Sequence, residues 1–119
     1  MSESGPEFRI DYVEFPASDV AATKRFYQQA FGWTFTDYGE GYSSFQDGRI
    51  AGGFTTAAPA EVGALIVLYT QDLEGSLEKV VAAGGTIVKA TFSFPGGRRF
   101  HFTDPSGNQL AVWSDTEPD

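Results

Sequence analysis

Cysteine is absent from this chain, and histidine occurs once, as His101. The first absence excludes disulfides, thiolate metal sites and a cysteine nucleophile. The second means that one chain cannot supply two histidines and a carboxylate to a metal. Two copies would have to meet at a symmetric interface. Positive charge is scarce too: 8 Lys and Arg stand against 16 Asp and Glu, for a net charge of −8. The Arg98-Arg99 pair is too small to reverse that sign, so nucleic acid is not expected as a partner. No apolar run approaches the roughly 18 residues that span a bilayer. No membrane partner is expected. Met1–Glu7 is polar and lacks the apolar stretch of a signal peptide. Together these absences lead us to expect a cytoplasmic protein.

What is present suits a single domain over 1–119. Hydrophobic residues make up 41% of the 119 and aromatics 15%, enough for a core. Phe8–Phe15 mixes β-branched and aromatic residues and meets Pro16, as a strand ended by a breaker does. Asp19 is placed to cap a helix. The apolar stripe of that helix is Val20, Thr23, Tyr27, Ala30 and Phe31, with Phe26 at its edge. Gly32 suits the left-handed residue that follows a helix. Trp33–Tyr38 alternates like a strand. Tyr42–Gln46 and Ile50–Thr55 are strands joined by the Asp47-Gly48 turn. A small-residue linker, Thr56–Val62, leads to a strand at Ala64–Tyr69 and a second cap at Asp72. Leu73, Leu77, Val80 and Val81 then recur at helical spacing, and Gly84-Gly85 stops the helix. Strands follow at Thr86–Ala90, Arg99–Thr103 and Gln109–Ser114. Pro95-Gly96-Gly97 and Asp104-Pro105-Ser106-Gly107-Asn108 are the turns between them. The ends, Met1–Glu7 and Thr116–Asp119, read as loose tails.

The chain repeats itself. A shift of 53 residues lays 10–35 on 63–88 without a gap. Asp19 meets Asp72, Ala30 meets Ala83 and Gly32 meets Gly85. Val20, Thr23 and Tyr27 meet Leu73, Ser76 and Val80. The matches fall on helix caps, helix stops and the buried stripe, where geometry and burial restrict the residue most. The fold class is therefore α+β, built from two β-α-β-β-β modules at about 8–57 and 62–115.

Three stretches carry a resemblance to a known family. They are Tyr12–Trp33 (YVEFPASDVAATKRFYQQAFGW), Asp72–Gly85 (DLEGSLEKVVAAGG) and Phe102–Trp113 (FTDPSGNQLAVW). In these the chain resembles the vicinal-oxygen-chelate superfamily of glyoxalase I, extradiol dioxygenases, and fosfomycin and bleomycin resistance proteins. It is most similar to small members described as related to lactoylglutathione lyase. The resemblance implies curved mixed sheets enclosing a cavity, helices outside, and a two-fold homodimer. In the family's metalloenzymes it also implies a divalent metal held by His and Glu. Carried over, those ligand positions fall on Tyr12, on Leu65, near Gly52-Gly53 and on Ala111. Leucine and alanine offer no donor, and tyrosine, with a phenol pKa of about 10, is a rare ligand. No metal and no cofactor are expected.

Strand alternation names the residues left to line such a cavity. If Val13 and Phe15 pack under the helix, Tyr12 and Glu14 face inward. Leu65, Val67 and Tyr69 do so in the second module, with Gln109, Ala111 and Trp113. On Arg99–Thr103 parity leaves two choices: Arg99, His101 and Thr103 inward, or Phe100 and Phe102. Glu14 is either a base or ligand anchor in a dry pocket, or a paired or solvated carboxylate. His101 is a proton shuttle, a cavity donor or a structurally bonded residue. Tyr12, Tyr69 and Trp113 form a ligand wall or pack as core. Gly52-Gly53 marks a close approach or a strand bulge. Tyr12, Glu14, Tyr69, His101 and Trp113 are thus the candidate ligand-binding residues, with Glu14 and His101 the catalytic candidates. The leading expectation is a metal-free binder of an apolar or aromatic small molecule. The alternatives are a glyoxalase-like lyase or isomerase using Glu14 or His101 as acid/base, and an interaction module without ligand.

Overall fold

The computed structural model describes residues 7–57 and 63–116. They form eight strands and two helices. The order is β1 (Ile10–Pro16), α1 (Val20–Phe31), β2 (Thr34–Asp37), β3 (Tyr42–Gln46) and β4 (Ala51–Thr55), then β5 (Leu65–Tyr69), α2 (Leu73–Ala82), β6 (Thr86–Phe94), β7 (Gly97–Thr103) and β8 (Gln109–Ser114). The expected α+β class and the doubled β-α-β-β-β unit are both present. Most of the linker expected at Thr56–Val62 lies outside the described residues.

Contacts cluster the chain into two units, Tyr12–Leu65 and the remainder. The strand order is β2-β3-β4-β1 in the first and β5-β8-β7-β6 in the second. Each unit pairs its opening strand in parallel with its last, β1 with β4 and β5 with β8. The other ladders are antiparallel. The repeat read from the sequence is therefore a repeat of topology.

Both helices start where the acids predict. The Asp19 carboxylate accepts from the Ala22 N–H at 3.0 Å, and that of Asp72 from the Gly75 N–H at 3.0 Å. Each cap satisfies a backbone donor that the helix leaves unpaired. Gly32 ends α1 at φ 76°, its N–H donating to the Gln28 carbonyl. After α2, Gly84 takes φ 104° and the Gly85 N–H donates back to the Val80 carbonyl at 2.9 Å.

The helices decide which sheet face is buried. In the first unit Val20, Phe45 and Phe54 form a core with Phe15, Tyr27, Trp33 and Phe35 packed on it. In the second, Leu73, Phe100, Phe102 and Val112 do the same with Leu77, Val80 and Ile87 among others. Three stripe residues differ from expectation, and Ala30 is the first, exposed on α1. Phe31 is 65% exposed; it closes α1 and leans on Tyr27 and Trp33. Val81 is also exposed. It stands about 80° around the helix from Leu73, off the line through Leu77 and Val80.

Two further expectations are corrected. The strand placed at Thr86–Ala90 runs on to Phe94, because Thr91–Phe94 continues the polar/aromatic alternation. Glu7 and Thr116 are not loose. Glu7 accepts from the Thr70 hydroxyl at 2.6 Å and the Gln71 N–H at 2.7 Å, and the Thr116 hydroxyl donates to the Gln71 carbonyl. No helix among the described residues is long and apolar enough to cross a membrane.

Candidate functional site

With Phe15 committed to the core under α1, alternation turns Tyr12 and Glu14 to the opposite, open face of the first unit. Register sets Glu14 beside Gly53 and Gly53 beside Ser44, with Tyr42 opposite Thr55. Gly53 makes room for a ring. A Cβ there would fall 2.1 Å from the Tyr42 hydroxyl oxygen and 2.7 Å from that of Tyr12. The Tyr42 hydroxyl thereby reaches the Glu14 carboxylate, donating to Oε2 at 3.2 Å, and is hydrogen-bonded to the Tyr12 hydroxyl. Glu14 is buried, at 8% exposure.

Burial, reinforced by Tyr12 and Glu14 beside it, holds the Tyr42 phenol well above its usual range. Tyr42 therefore stays protonated at neutral pH and acts as a donor. Two phenols linked to a carboxylate form a run of hydroxyls that can fix the polar group of a ligand or relay a proton. The sequence reading named Tyr12 and Glu14 but missed Tyr42. The signal was Gly53, since a glycine inside a strand often marks a place where another group lies close.

The glycine pair is not a bulge. The β3–β4 register runs unbroken from Tyr42 opposite Thr55 to Gln46 opposite Ala51. Gly52 serves the helix-side face, where a Cβ would strike the Phe45 ring at 2.3 Å. Each glycine seats an aromatic ring, one on either face.

In the second unit the parity question is settled. Phe100 and Phe102 pack toward α2, so Arg99, His101 and Thr103 take the open face. His101 pairs with Ala111 and Lys89, and Arg99 with Trp113 and Phe92. Val67 lies opposite Ala111 and Tyr69 opposite Trp113, which places these on the same face. Tyr69 and Trp113 meet edge to face at 5.3 Å. Their polar tips are satisfied by carboxylates: the Tyr69 hydroxyl donates to Asp115 at 2.6 Å and the Trp113 indole N–H to Asp11 at 2.9 Å. His101 has other neighbours. It is 7% exposed, packs against Phe92 at 5.7 Å, and its Nδ1 accepts from the Gln109 amide at 3.3 Å. Burial, then the charges of Arg99 and Lys89, lower its pKa from 6.5 to about 4. The candidates thus form separate groups: Tyr12 with Glu14, Tyr69 with Trp113, and His101 with Phe92 and Gln109. A cavity of about 370 Å³ lies by the β6–β7 turn, lined by Phe94, Arg98 and Asp115 among others. Arg98 is engaged there with Glu74 at 2.5 Å and with the Thr116 carbonyl.

Leu65 and Ala111 are buried apolar side chains. Among the described residues no three of His, Asp and Glu converge as metal ligands. The residues present do not fit a divalent metal.

Comparison with known proteins agrees with this architecture. The model of the family described as Glyoxalase/Bleomycin resistance protein/Dioxygenase superfamily matches residues 9–112. CFP32 of Mycobacterium tuberculosis, provisionally named a glyoxylase, is 25% identical over 115 residues, covering 87% of this chain and 44% of that one. The anthracycline biosynthesis protein DauV of a Streptomyces species (strain C5) is 30% identical over 124 residues, covering 86% and 45%. The chain therefore spans less than half the length of these curated relatives. Among solved structures, a Mn(II)-bound glyoxalase from Novosphingobium aromaticivorans shares the fold with a TM-score of 0.67 at 23% identity, over 92% of this chain and 39% of that one.

Proposed function

We propose that this chain, which belongs to the Glyoxalase/Bleomycin resistance protein/Dioxygenase superfamily, is a metal-free binder of an apolar or aromatic small molecule. The observation that carries the proposal is the hydrogen-bonded run Tyr12–Tyr42–Glu14 on the open face of the first unit, in which Glu14 is buried and both tyrosines are half-buried. A carboxylate withdrawn from water is costly unless it is bonded to a neighbour or to a ligand, and here a half-buried phenol bonds it. The two tyrosine rings offer apolar surface and their hydroxyls fix orientation, the mix found in small-molecule sites. Tyr69, Trp113 and His101 supply further ring surface on the open face of the second unit.

Metal-free holding is supported by the donor set. Leu65 and Ala111 occupy two of the positions where the family's metalloenzymes are expected to carry ligands, and neither has a donor atom. Ligand retention then depends on hydrogen bonds and ring contact. The printed names of the relatives, a glyoxylase and an anthracycline biosynthesis protein, accord with a small organic ligand.

Thermal melting tests this with two additions. A neutral aromatic, 2-naphthol, is expected to raise the melting temperature, and less so in Tyr42→Phe, which lacks the hydroxyl that bonds Glu14. A site that is hundredfold saturated stabilises the native state by about 2.7 kcal/mol. One equivalent of Mn²⁺, Zn²⁺ or Ni²⁺ is expected to leave the melting temperature unchanged. A rise with metal that Glu14→Ala abolishes overturns the metal-free reading. Consumption of a 2-oxoaldehyde–thiol adduct that Glu14→Gln abolishes supports the lyase alternative instead.

A further inference from the structure

The second unit contains one polar atom that the functional reading does not use. His101 Nδ1 accepts a hydrogen bond from Gln109, so the neutral imidazole carries its proton on Nε2. That atom is buried and has no hydrogen-bond partner among the described residues. The residue is more than nine-tenths buried. A buried N–H without an acceptor is costly, and each such group in a native protein calls for a reason. Simple packing does not supply it, because a phenylalanine of similar size would fill the same place without an orphan donor.

The surroundings say what acceptor suits it. Arg99 lies over the Phe92 and Phe94 rings at 5.4 and 5.6 Å, and Lys89 over Phe92 at 4.5 Å. Both cations act on His101 as positive charges. Asp11 bonds the Trp113 indole, yet the charges that act on His101 itself are both positive, in a chain of net charge −8. Trp113 shares the open face, opposite Arg99 and 6.2 Å from Phe94. The open face therefore offers a fixed N–H donor, a positive field and a floor of rings.

We infer that His101 Nε2, in the field of Arg99 and Lys89, beside Phe92 and on the face that Trp113 shares, is the donor for an oxygen of an aromatic carboxylate. The inference rests on the proposed binding of an aromatic small molecule and names its charged group. The imidazole stays neutral and donates without losing its proton. The acceptor is anionic because the two flanking cations favour negative charge at that point. Gln109 fixes the tautomer: with its amide nitrogen on Nδ1, the only ring proton left is the one on Nε2.

The single histidine makes the test direct, since every imidazole signal in a long-range ¹H–¹⁵N spectrum belongs to His101. Three probes are titrated at pH 7: 2-naphthoate, its neutral counterpart 2-naphthamide, and acetate. Naphthoate is expected to move the Nε2 resonance and to bind at least tenfold tighter than the amide. The exposed-side variant Lys89→Gln should lower that preference two- to threefold, and His101→Phe should abolish it; both are checked for folding by their amide spectra. Equal binding of naphthoate and naphthamide refutes the carboxylate site and leaves the aromatic binder standing. If acetate moves Nε2 while neither naphthalene binds, the anion site stands and the aromatic reading falls. If no probe moves Nε2, the inference is wrong.

Discussion

Gly53→Ala is the substitution that tests most directly how the first unit's open face is built. Gly53 lies inside β4, where alanine meets no backbone penalty. The methyl itself has no space. It would sit 2.1 Å from the Tyr42 hydroxyl oxygen, 2.5 Å from Cζ and 2.7 Å from the Tyr12 hydroxyl. The Tyr42 ring must swing aside, which removes its bond to Glu14. Overpacking of this kind costs about 1–3 kcal/mol. A lost hydrogen bond to a charged group costs about 1.5–3 kcal/mol. The ring movement relieves the first as it incurs the second, so the two do not add. The expected loss is about 2–3 kcal/mol, read as a lower urea midpoint.

A double-mutant cycle separates this account from a general intolerance of side chains at that position. In a Tyr42→Ala background the Tyr42 ring is gone and the Tyr12 hydroxyl, 2.7 Å from the methyl at the far end of its side chain, can move into the freed space; Gly53→Ala should then cost less than about 0.5 kcal/mol, since alanine also restricts the unfolded chain. Gly52→Ala is the control. Its methyl meets the Val13 carbonyl oxygen at 2.1 Å as well as the Phe45 ring, and a backbone atom cannot rotate away. It should cost more than Gly53→Ala. The reasoning fails if Gly53→Ala costs as much with Tyr42 removed as with it present.

The remaining predictions concern pH, caps and assembly. His101 titrates at 6.5 when unfolded and at about 4 in the fold, so the unfolded chain takes up the proton first as pH falls. Stability should be full above pH 6.5 and decline toward pH 4, by at most about 3 kcal/mol; urea unfolding of His101→Phe should show that window flattened. Asp19→Ala and Asp72→Ala should each cost about 1 kcal/mol through loss of the bonds to Ala22 and Gly75, and equal midpoints with the parent would refute the capping roles. We also propose a homodimer: light scattering should give twice the 12.9 kDa chain mass, and a monomer at tens of micromolar protein would count against it. Among the described residues the outermost strand of the second unit, β6, pairs with β7 alone, and an open edge of that kind favours pairing with another molecule.

The parts of the fold legible in the sequence are those that local chemistry dictates. Asp19, Asp72, Gly32 and Gly84-Gly85 mark helix ends because an orphan N–H needs an acceptor and a left-handed residue needs glycine. Phe15, Val20 and Leu73 mark buried faces because their period matches the element. The length of β6 was less legible, since its pairing with β7 is irregular between Ile87 and Phe92, which interrupts the alternation before it resumes over Thr91–Phe94. The side on which His101 points was undecidable for a physical reason: Phe100, His101 and Phe102 are all buried, so burial on both faces erased the parity signal. Only the packing of Phe100 and Phe102 against Leu73 resolves it. Tyr42 was hidden because a hydroxyl opposite Thr55 looks like any half-buried strand tyrosine until Gly53 is placed beside it.

The two units differ where the fold leaves them free to differ. Both keep the aspartate caps, the terminal glycines and the parallel pairing of first and last strands, because backbone hydrogen bonding demands these at corresponding places. On the open faces no such demand acts, and the side chains diverge. Tyr12 lies on one opening strand at the place that corresponds, by the 53-residue shift, to Leu65 on the other. The first face carries phenols bonded to a carboxylate; the second carries rings under Arg99 and Lys89 with a buried imidazole. Leu65 and Ala111, two of the ligand positions that the family resemblance implies, are buried and apolar and offer no donor. On the proposed reading, directional hydrogen bonding and ring contact take the place of coordination, and both fall off sharply with misfit. Ligand selectivity should therefore respond more to substitutions such as Tyr42→Phe and His101→Phe, which delete one donor each, than to the supply of any metal.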